Sequence, residues 1–476
     1  MIMRKTKIVC TMGPKESDDS VLNELVKEMD VARFNFSHGT HESHLEMLKR
    51  VRKAAQAAGR PIAMLLDTKG PEIRTGLLEG HEPVMLEKGS RVTLSPMGSD
   101  TDAEGNASHI FTTYEGLKDD VAAGGTVLAD DGTIELCVDE IIGSDVICSV
   151  ITGGLLGERK GINLPGVSVG LPDLTDKDIE DISFGLENGF DYIAASFVRN
   201  AKTICRIREL IEKAGSKTKI IAKIESREGI DNLDEIIEAS DGIMVARGDL
   251  GVEVEPKLIP QLQREMIDKA NAGGKIVITA TQMLDSMIRN PRPTRAEVND
   301  VANAVYEGSD AVMLSGETAS GDYPVEALQM MASIAEHTEK FTEYLTQVYS
   351  KTDSIAETTC AAAVTAAEKL EAKAIIAPTS SGNTALSVSK CHPGSDIYAF
   401  SPDPVTVRQM MLLWGVRPCL ADRADSTDEL MEDCLEIIKE SGVASEGDIL
   451  VFVAGLVSGR KSYQRSETNS MRIIKL

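Results

Sequence analysis

Charged residues end two short apolar segments in the middle of the chain, and their types suit chemistry. Lys223 and Glu225 lie two positions apart, so in a strand both side chains point to the same face. Asp249 ends the next segment behind Gly248, where backbone can approach a ligand closely. One ammonium and two carboxylates at adjacent strand ends suit a divalent metal that holds an anionic substrate. A solvated, ion-paired rim of a buried sheet is the alternative.

Similar layouts elsewhere in the chain weaken that alternative. Hydroxyl, amide, carboxylate and cationic side chains follow or end several other apolar segments: Arg33, Asn35, Ser37, Asp67, Thr68, Thr279, Thr281, Gln282, Ser315 and Glu317. Any one of them could be a polar rim residue that favours solubility. Together, at matching positions, they predict one site that binds an anion.

Eight short apolar segments predict the strands that would position these residues: 7–10, 31–36, 62–66, 192–197, 220–224, 243–246, 276–280 and 311–314. Helical patterns separate most of them; one begins with a capping box at Thr175 and stops at Gly189. Strands that alternate with helices indicate a parallel sheet, and eight repeats indicate a (β/α)₈ TIM barrel. In such barrels the C-terminal ends of the strands form the active site.

The spacing of the segments predicts three domains. The barrel takes residues 1–70 and 171–343, and glycine-rich turns with short alternating strands predict a small inserted β domain at 71–170. Residues 344–476 form a third, α/β domain, with a capping box at Ser354 before an alanine-rich helix.

Composition limits the function classes. The chain has 476 residues and a formal net charge of −25, which argues against nucleic acid or an anionic membrane as a partner. No apolar run approaches the roughly 18 residues of a membrane span, and no signal peptide is indicated. The 8 cysteines are scattered singly, so we expect a reducing cytoplasm rather than a disulfide framework.

Eight segments resemble the pyruvate kinase family: NFSHG (35–39), DTKGPEIRTG (67–76), KGINLPG (160–166), AKIES (222–226), MVARGDLGVE (244–253), ITATQMLDSM (278–287), NPRPTRAEV (290–298) and DAVMLSGETA (310–319). The resemblance extends over essentially the whole chain in order, and residues 244–298 are its most specific part. The C-terminal domain resembles the family more weakly.

The resemblance implies phosphoryl transfer from phosphoenolpyruvate to ADP, giving pyruvate and ATP. It implies that Glu225 and Asp249 bind Mg²⁺ (or Mn²⁺) and that Lys223 stabilises the phosphoryl group in flight. Arg33 would grip the substrate phosphate, and Thr281 would lie beside the enolate carbon.

Further contacts are implied around that centre. The backbone N–H groups of Gly248 and Asp249 would face the substrate carboxylate, and Ser315 and Glu317 would extend a proton relay. A second group matches the family's K⁺ site, although ordinary strand-end hydrogen bonding is the alternative: Asn35, Ser37, Asp67 and Thr68.

Nucleotide contacts are implied at the edges of the inserted domain, which would close as a lid over the barrel. The residues concerned are Arg74 and Lys160, with Asn35 and His38. Glu72 is the residue found in family members that need K⁺, so K⁺-dependent activity is expected.

A hydroxyl-rich turn in the C-terminal domain resembles the effector-phosphate loop of allosteric members: Thr379, Ser380, Ser381, Gly382, Asn383 and Thr384. A simple N-cap loop is the alternative. A phosphorylated sugar or AMP is the expected effector, with added positive charge from residues 459–465. The family also implies a homotetramer.

Two other functions remain open at this point. One is a metal-dependent lyase or aldolase that acts on a pyruvate enolate and needs neither Arg74 nor Lys160. The other is a catalytically inactive regulatory or scaffold protein, against which the intact Lys223, Glu225, Asp249 and Thr281 argue.

Overall fold

The computed structural model describes residues 4–98, 102–342, 354–455 and 467–476. Eight parallel strands form a closed barrel in which neighbours in sequence are neighbours in space. Numbered along the whole chain, they are β1 (Lys7–Met12), β2 (Val31–Asn35), β3 (Ala63–Asp67), β15 (Tyr192–Ala195), β16 (Lys219–Ile224), β17 (Gly242–Ala246), β18 (Ile276–Ala280) and β19 (Ala311–Leu314). The predicted TIM barrel is confirmed.

Two strands end earlier than predicted. The second ends at Asn35, which pairs with Asp67; the Phe36 N–H donates the last bond of this ladder, to the Asp67 carbonyl, and a turn follows. The fourth ends at Ala195 rather than residue 197, because Phe197 has a left-handed backbone with φ 52°.

Helices cover the outside of the barrel. The Thr175 capping box is confirmed: Thr175 accepts from the Asp178 N–H at the start of its helix. The barrel helices are α1 (Asp19–Leu25), α2 (His41–Ala57), α4 (Asp176–Glu187), α5 (Ala201–Lys213), α6 (Arg227–Asp231), α7 (Leu233–Ala239), α8 (Arg247–Glu253), α9 (Ile259–Ala272), α10 (Arg295–Tyr306), α11 (Gly316–Ala319) and α12 (Pro324–Glu339).

An aspartate stands immediately before every second barrel strand and caps the strand before it. Asp30 accepts from Ile8 N at 2.9 Å. The same bond joins Asp191 to Met64 N, Asp241 to Ile220 N and Asp310 to Val277 N, at 2.9, 2.8 and 2.8 Å. These bonds fix the register of neighbouring strands at the base of the barrel, where the strands begin.

The inserted domain is a seven-stranded sheet. A bridge between Thr75 and Thr112 joins its two edges, so the sheet is nearly closed into a barrel. Its elements are β4 (Ile73–Arg74), β7 (Arg91–Pro96), β9 (His109–Thr112), β10 (Thr126–Ala129), β11 (Ile134–Ile142), β12 (Asp145–Thr152) and β14 (Gly161–Asn163), with the short pairs β5 (Leu77–Leu78)–β8 (Glu104–Gly105) and β6 (Val84–Leu86)–β13 (Gly154–Leu156), and α3 (Leu117–Asp120).

The C-terminal domain is a five-stranded mixed sheet with helices against it. Ser354 caps its first helix, as predicted, by accepting from Glu357 N. Its elements are α13 (Ile355–Lys369), β20 (Ala374–Pro378), α14 (Asn383–Ser389), β21 (Asp396–Ser401), α15 (Pro404–Gln409), β22 (Val416–Leu420), α16 (Thr427–Glu440), β23 (Ile449–Ala454) and β24 (Ser470–Lys475).

The C-terminal domain packs against the base of the barrel. Barrel-interior side chains such as Val9 and Met313 belong to the same apolar cluster as Leu412 and Leu413 of that domain. Polar bonds cross the contact as well: the Tyr192 hydroxyl donates to the Gln409 carbonyl, and Lys7 donates to the Val416 carbonyl. The domain boundaries stay predictions, and the boundary at 343/344 falls outside the described residues.

Candidate active site

A buried charge cluster lies at the mouth of the barrel, where the strands end. Asp67, at the end of β3, is fully buried and is 2.6 Å from Arg33 Nε on β2 and 3.0 Å from Lys223 Nζ on β16. Burial opposes the charged forms of both Asp67 and Lys223. The opposite charges outweigh burial, so the pKa of Asp67 is lowered and that of Lys223 is raised.

Glu225 lies beside this cluster and is fully buried. Its Oε2 accepts from Phe197 N at 2.7 Å, and its Oε1 lies 2.8 Å from Lys223 Nζ. That Oε1 atom has no well-aligned hydrogen bond from any described residue. Burial, with the nearby Asp249 carboxylate, raises the pKa of Glu225 to about 7 against the opposing charge of Lys223.

Asp249 lies in the first turn of α8, which starts directly after β17. Among the described residues, its carboxylate has no hydrogen bond or ion pair. Asp249 is near enough to Glu225 to raise its pKa, Glu225 has a buried oxygen that lacks a bond, and both carboxylates offer the hard oxygens that Mg²⁺ prefers. The pair fits a divalent cation whose remaining ligands come from substrate or water, since no cluster of three or more His, Cys, Asp or Glu occurs in the described part of the chain.

The turn after β18 is strained. Thr281 and Gln282 have φ values of 68° and 53°, a left-handed conformation that is a rare outlier for a β-branched residue. Such residues cost on the order of 1–3 kcal/mol each and cluster at functional sites. The turn places Thr281 Oγ1 2.7 Å from Gly248 N, from which it accepts, while the hydroxyl donates to the Ala280 carbonyl at 2.6 Å. The predicted residues of β17 and β18 are thus brought together.

The proposed K⁺ ligands lie near Asp67 but bond to protein groups. Asn35 Oδ1 accepts from Ser37 N at 3.1 Å, and Thr68 Oγ1 accepts from Ser196 N at 3.1 Å. Ser196 also donates to the Thr68 carbonyl at 2.6 Å and accepts from Lys223 at 2.6 Å.

Ser196, which bonds to both Lys223 and Thr68, was not among the site residues predicted from the sequence. It is the first residue beyond the fourth barrel strand. A polar residue directly after a barrel strand is the signal that could have identified it.

Ser315 and Glu317 follow β19 and are held by backbone. The buried Glu317 carboxylate accepts from Ser315 N at 2.7 Å and from Leu284 N at 3.0 Å. Burial raises the pKa of Glu317. Ser315 Oγ is buried and lacks a hydrogen bond among the described residues. These bonds hold the turn after β19 against the segment at Leu284.

A cavity of about 420 Å³ separates the inserted domain from the barrel mouth. Arg74, Lys160 and Asp249 line it, whereas Asn35 and His38 do not. Arg74 pairs with Glu72 at 2.6 Å and Lys160 pairs with Asp130 at 2.8 Å, so both cations are ion-paired within the inserted domain.

The inserted domain also touches the barrel directly. Asn163 donates to Glu253 of α8 at 2.9 Å, and Ser168 donates to Glu228 at 3.1 Å. The two domains therefore share polar contacts around the cavity.

A second cavity, of about 660 Å³, lies in the C-terminal domain at the predicted effector loop. Gly382, with φ 88°, precedes α14 and donates its N–H to Thr379 Oγ1 at 3.0 Å. The described lining contains Ser380, Ser381, Asn383 and Thr384 but no lysine or arginine, and it includes the carboxylates of Asp422 and Glu467. Residues 459–465, predicted to add positive charge, lie outside the described residues.

Comparisons with known proteins match nearly the whole chain. A family model described as "Pyruvate kinase, barrel domain" matches residues 3–328, and "Pyruvate kinase, alpha/beta domain" matches residues 357–474. A pyruvate kinase of Staphylococcus epidermidis is 46% identical over 479 residues, which cover 99% of this chain and 80% of that protein. One of Staphylococcus saprophyticus is 47% identical over 485 residues with the same coverage. One of Staphylococcus aureus is 46% identical over 484 residues, again with that coverage.

Proposed function

The chain belongs to the pyruvate kinase family, and on that premise we propose which of its residues carry out the reaction. The enzyme is a phosphotransferase: the phosphoryl group of phosphoenolpyruvate passes to ADP, giving pyruvate and ATP, the last step of glycolysis. The family membership argues against the lyase or aldolase and the inactive scaffold considered above.

The buried charge cluster carries the proposal. Arg33 grips the phosphate of phosphoenolpyruvate, for which it gives up part of its contact with Asp67. Lys223 is held charged between Asp67 and Glu225 and stabilises the phosphoryl group as the bond to the enol oxygen breaks and the bond to the ADP β-phosphate oxygen forms. The N–H groups of Gly248 and Asp249 would orient the substrate carboxylate, for which the Gly248 N–H would give up its bond to Thr281 Oγ1.

Protonation completes the reaction. The enolate left by the transfer takes a proton at its methylene carbon, and Thr281 orients the proton source. Its hydroxyl, 2.7 Å from Gly248 N, lies next to the carboxylate-binding backbone, which supports that role. Ser315 and Glu317 are proposed as an extension of this path.

Glu225 and Asp249 would hold Mg²⁺ or Mn²⁺, and a divalent ion there supplies charge neutralisation for the transferring phosphoryl group. We test this with Glu225→Gln, which removes a charge but keeps the shape. Mn²⁺ affinity should weaken by about 10-fold or more. Asp231→Asn changes an exposed carboxylate that lines the 420 Å³ cavity together with Asp249; it is the matched control and should bind Mn²⁺ normally. Unchanged affinity in Glu225→Gln would reject the metal assignment.

Asn35, Ser37, Asp67 and Thr68 would bind K⁺, which supplies one further positive charge beside the phosphate. The position of Glu72 supports K⁺ dependence. Its carboxylate pairs with Arg74 and neutralises that positive charge, and a bound K⁺ would supply a positive charge in its place. Activity should require K⁺ in the wild type and become independent of it in Glu72→Lys. Glu79→Lys, another glutamate of the inserted domain, should keep the dependence. Full wild-type activity in buffer without K⁺ would contradict the proposal.

The nucleotide would lie in the 420 Å³ cavity, with its phosphates against Arg74 and Lys160. Both cations would exchange their partners, Glu72 and Asp130, for phosphate oxygens. Asn35 and His38 stay part of the proposed nucleotide set, although they lie outside this cavity. The inserted domain would close as a lid and exclude water from the transfer.

Regulation is proposed at the 660 Å³ cavity, where a sugar phosphate or AMP would bind the loop 379–384. Titrating fructose 1,6-bisphosphate, ribose 5-phosphate and AMP should lower the apparent KM for phosphoenolpyruvate. The response should vanish in a Thr379→Ala/Ser381→Ala/Thr384→Ala variant and persist in Thr359→Ala, which removes a helix hydroxyl. No response in the wild type would refute the site.

Assembly and location are proposed from the family alone. A homotetramer is expected, and a fully active monomer in solution would contradict it. A cytoplasmic location is likewise proposed. Among the described residues, no helix is long and apolar enough to cross a membrane.

A further inference from the structure

Arg247 makes an unusual set of contacts between the two strand ends that bear the substrate-carboxylate and proton-transfer groups. It is the first residue of α8, directly before Gly248, and its side chain is 9% exposed. Its Nη2 donates to the Thr281 carbonyl at 2.7 Å, and its Nε donates to the Ala280 carbonyl at 3.3 Å. One guanidinium therefore holds both carbonyls that flank the start of the strained turn.

The guanidinium is itself fixed from the other side. Its Nη1 is 2.6 Å from Asp300 Oδ1 on α10 and 3.3 Å from Gln263 Oε1 on α9. Gln263 is in turn bonded to Glu307 at 2.7 Å. Two outer helices thus fix the position of a side chain whose other edge bonds to the turn.

The turn needs such support because its conformation is unfavourable by itself. Two consecutive non-glycine residues, Thr281 and Gln282, are left-handed, and such residues persist only where surrounding structure over-determines them. The carbonyl bonds from Arg247 hold the peptide groups that set the position of Thr281. If they are lost, the turn can relax and the Thr281 hydroxyl is no longer fixed beside Gly248.

We propose that Arg247, oriented by Asp300, is a positioning residue for the proton-transfer step: it holds the strained turn so that the Thr281 hydroxyl faces the enolate carbon. The inference rests on the proposed role of Thr281. Arg247 is not among the proposed substrate-binding residues. Its loss should affect protonation of the enolate more than binding of the metal or of phosphoenolpyruvate.

The test uses Arg247→Lys, which keeps the charge but cannot span both carbonyls and Asp300. Exchange of the pyruvate methyl protons with deuterated water, in the presence of ATP, Mg²⁺ and K⁺, reports the step by proton NMR. We expect this exchange to fall at least about 10-fold, the lower range for a displaced proton-transfer group. Mn²⁺ affinity and the KM for phosphoenolpyruvate should stay within about two-fold, because the metal carboxylates are not bonded to Arg247. Asp300→Asn should show the same pattern with a smaller loss.

The matched control is Arg208→Lys at the base of the barrel. Arg208 also joins a carboxylate and a carbonyl, at 2.8 Å to Asp241 and 3.1 Å to the Ala239 carbonyl, but it lies far from the strained turn in the fold. Its exchange rate should equal that of the wild type. Equal losses in Arg247→Lys and Arg208→Lys, or a loss of metal binding equal to the loss of exchange, would overturn the inference.

Thr281→Ala distinguishes the positioning role of Arg247 from the proton-transfer role of Thr281. If that variant exchanges protons normally, the proposed role of Thr281 is wrong. If Thr281→Ala abolishes exchange while Arg247→Lys and Asp300→Asn both exchange normally, the role of Thr281 stands and the positioning role of Arg247 is wrong.

Discussion

Both ends of the barrel contain carboxylates, but these carboxylates are paired to different extents. At the base, Asp30, Asp191 and Asp310 each accept from a backbone N–H and also pair with a cation: Arg4, Arg408 and Lys390 respectively. At the mouth, Glu225 is paired in the same way with Lys223, and like Asp310 it keeps one oxygen without a well-aligned bond, whereas Asp249 has no hydrogen bond or ion pair among the described residues.

The difference separates stabilising charge from reactive charge. A carboxylate that pairs with a cation and a backbone N–H, as at the base, fixes structure. A carboxylate without a partner, such as Asp249, keeps its charge for a ligand such as a divalent cation. The mouth also holds the strained Thr281 turn, which indicates that stability there is given up for geometry.

Breaking a buried ion pair at the base should give the largest effect. Lys390 and Asp310 are fully buried, and Lys390 also donates to Asn271 at 3.0 Å. Lys390→Met leaves Asp310 unpaired and should destabilise the protein by about 3–5 kcal/mol. Urea and thermal unfolding measure this. Lys390→Met/Asp310→Asn should recover part of the loss, and Mn²⁺ binding at the mouth should be unchanged. Wild-type stability in Lys390→Met would remove the distinction between the two ends.

Removing a cation at the mouth should lower activity more than stability, the reverse of the effect expected for Lys390→Met. Lys223→Met should lower kcat by about 10²–10³, the range for one preorganised charge donor, with a smaller change in melting temperature than Lys390→Met. Lys219→Met is the control, since Lys219 begins the same strand at the base. It should keep kcat within about three-fold. Near-normal turnover in Lys223→Met would show that the mouth cluster is structural too.

Low pH should destabilise the base of the barrel through His392. This residue is buried against Trp414, and burial, with the charges of Lys390 and Lys5, lowers its pKa to about 3. The unfolded chain takes up its proton near pH 6.5, so the stability due to neutral His392 is present above that pH and is lost as pH falls toward 3.

Between pH 7 and pH 5 the loss from this one group should be about 2 kcal/mol. The melting temperature of the wild type should therefore fall more over that range than that of His392→Gln. His38→Gln, an exposed histidine at the mouth, should behave as the wild type. Parallel pH profiles for the wild type and His392→Gln would show that the base does not respond to acid in this way.

The sequence predicted most of the barrel because its signals are local. Apolar strands, caps such as Thr175 and the polar strand ends can all be read within a few residues. The missing parts depend on distant partners. Nothing near Lys390 in sequence identifies Asp310 as its partner, and the left-handed turn at Thr281 has no glycine to signal it. Ser196, by contrast, directly follows a strand and carries the same local signal as the predicted site residues.

The four aspartate caps at the base join the barrel strands in pairs. They group the strands into four quarters of two: β1 with β2, β3 with β15, β16 with β17, and β18 with β19. In three quarters the cap joins residues 22, 21 and 33 positions apart, whereas Asp191 and Met64 are 127 apart because the inserted domain lies between them. The bond is nevertheless the same, at 2.9 Å.

The barrel thus repeats one module four times and treats an entire domain as a long loop of the second repeat. Closing a longer loop costs little more, since the cost grows only with the logarithm of its length. The base keeps each quarter in register whatever the loops at the mouth contain. A lid can therefore be gained, lengthened or exchanged at this position without the barrel being rebuilt.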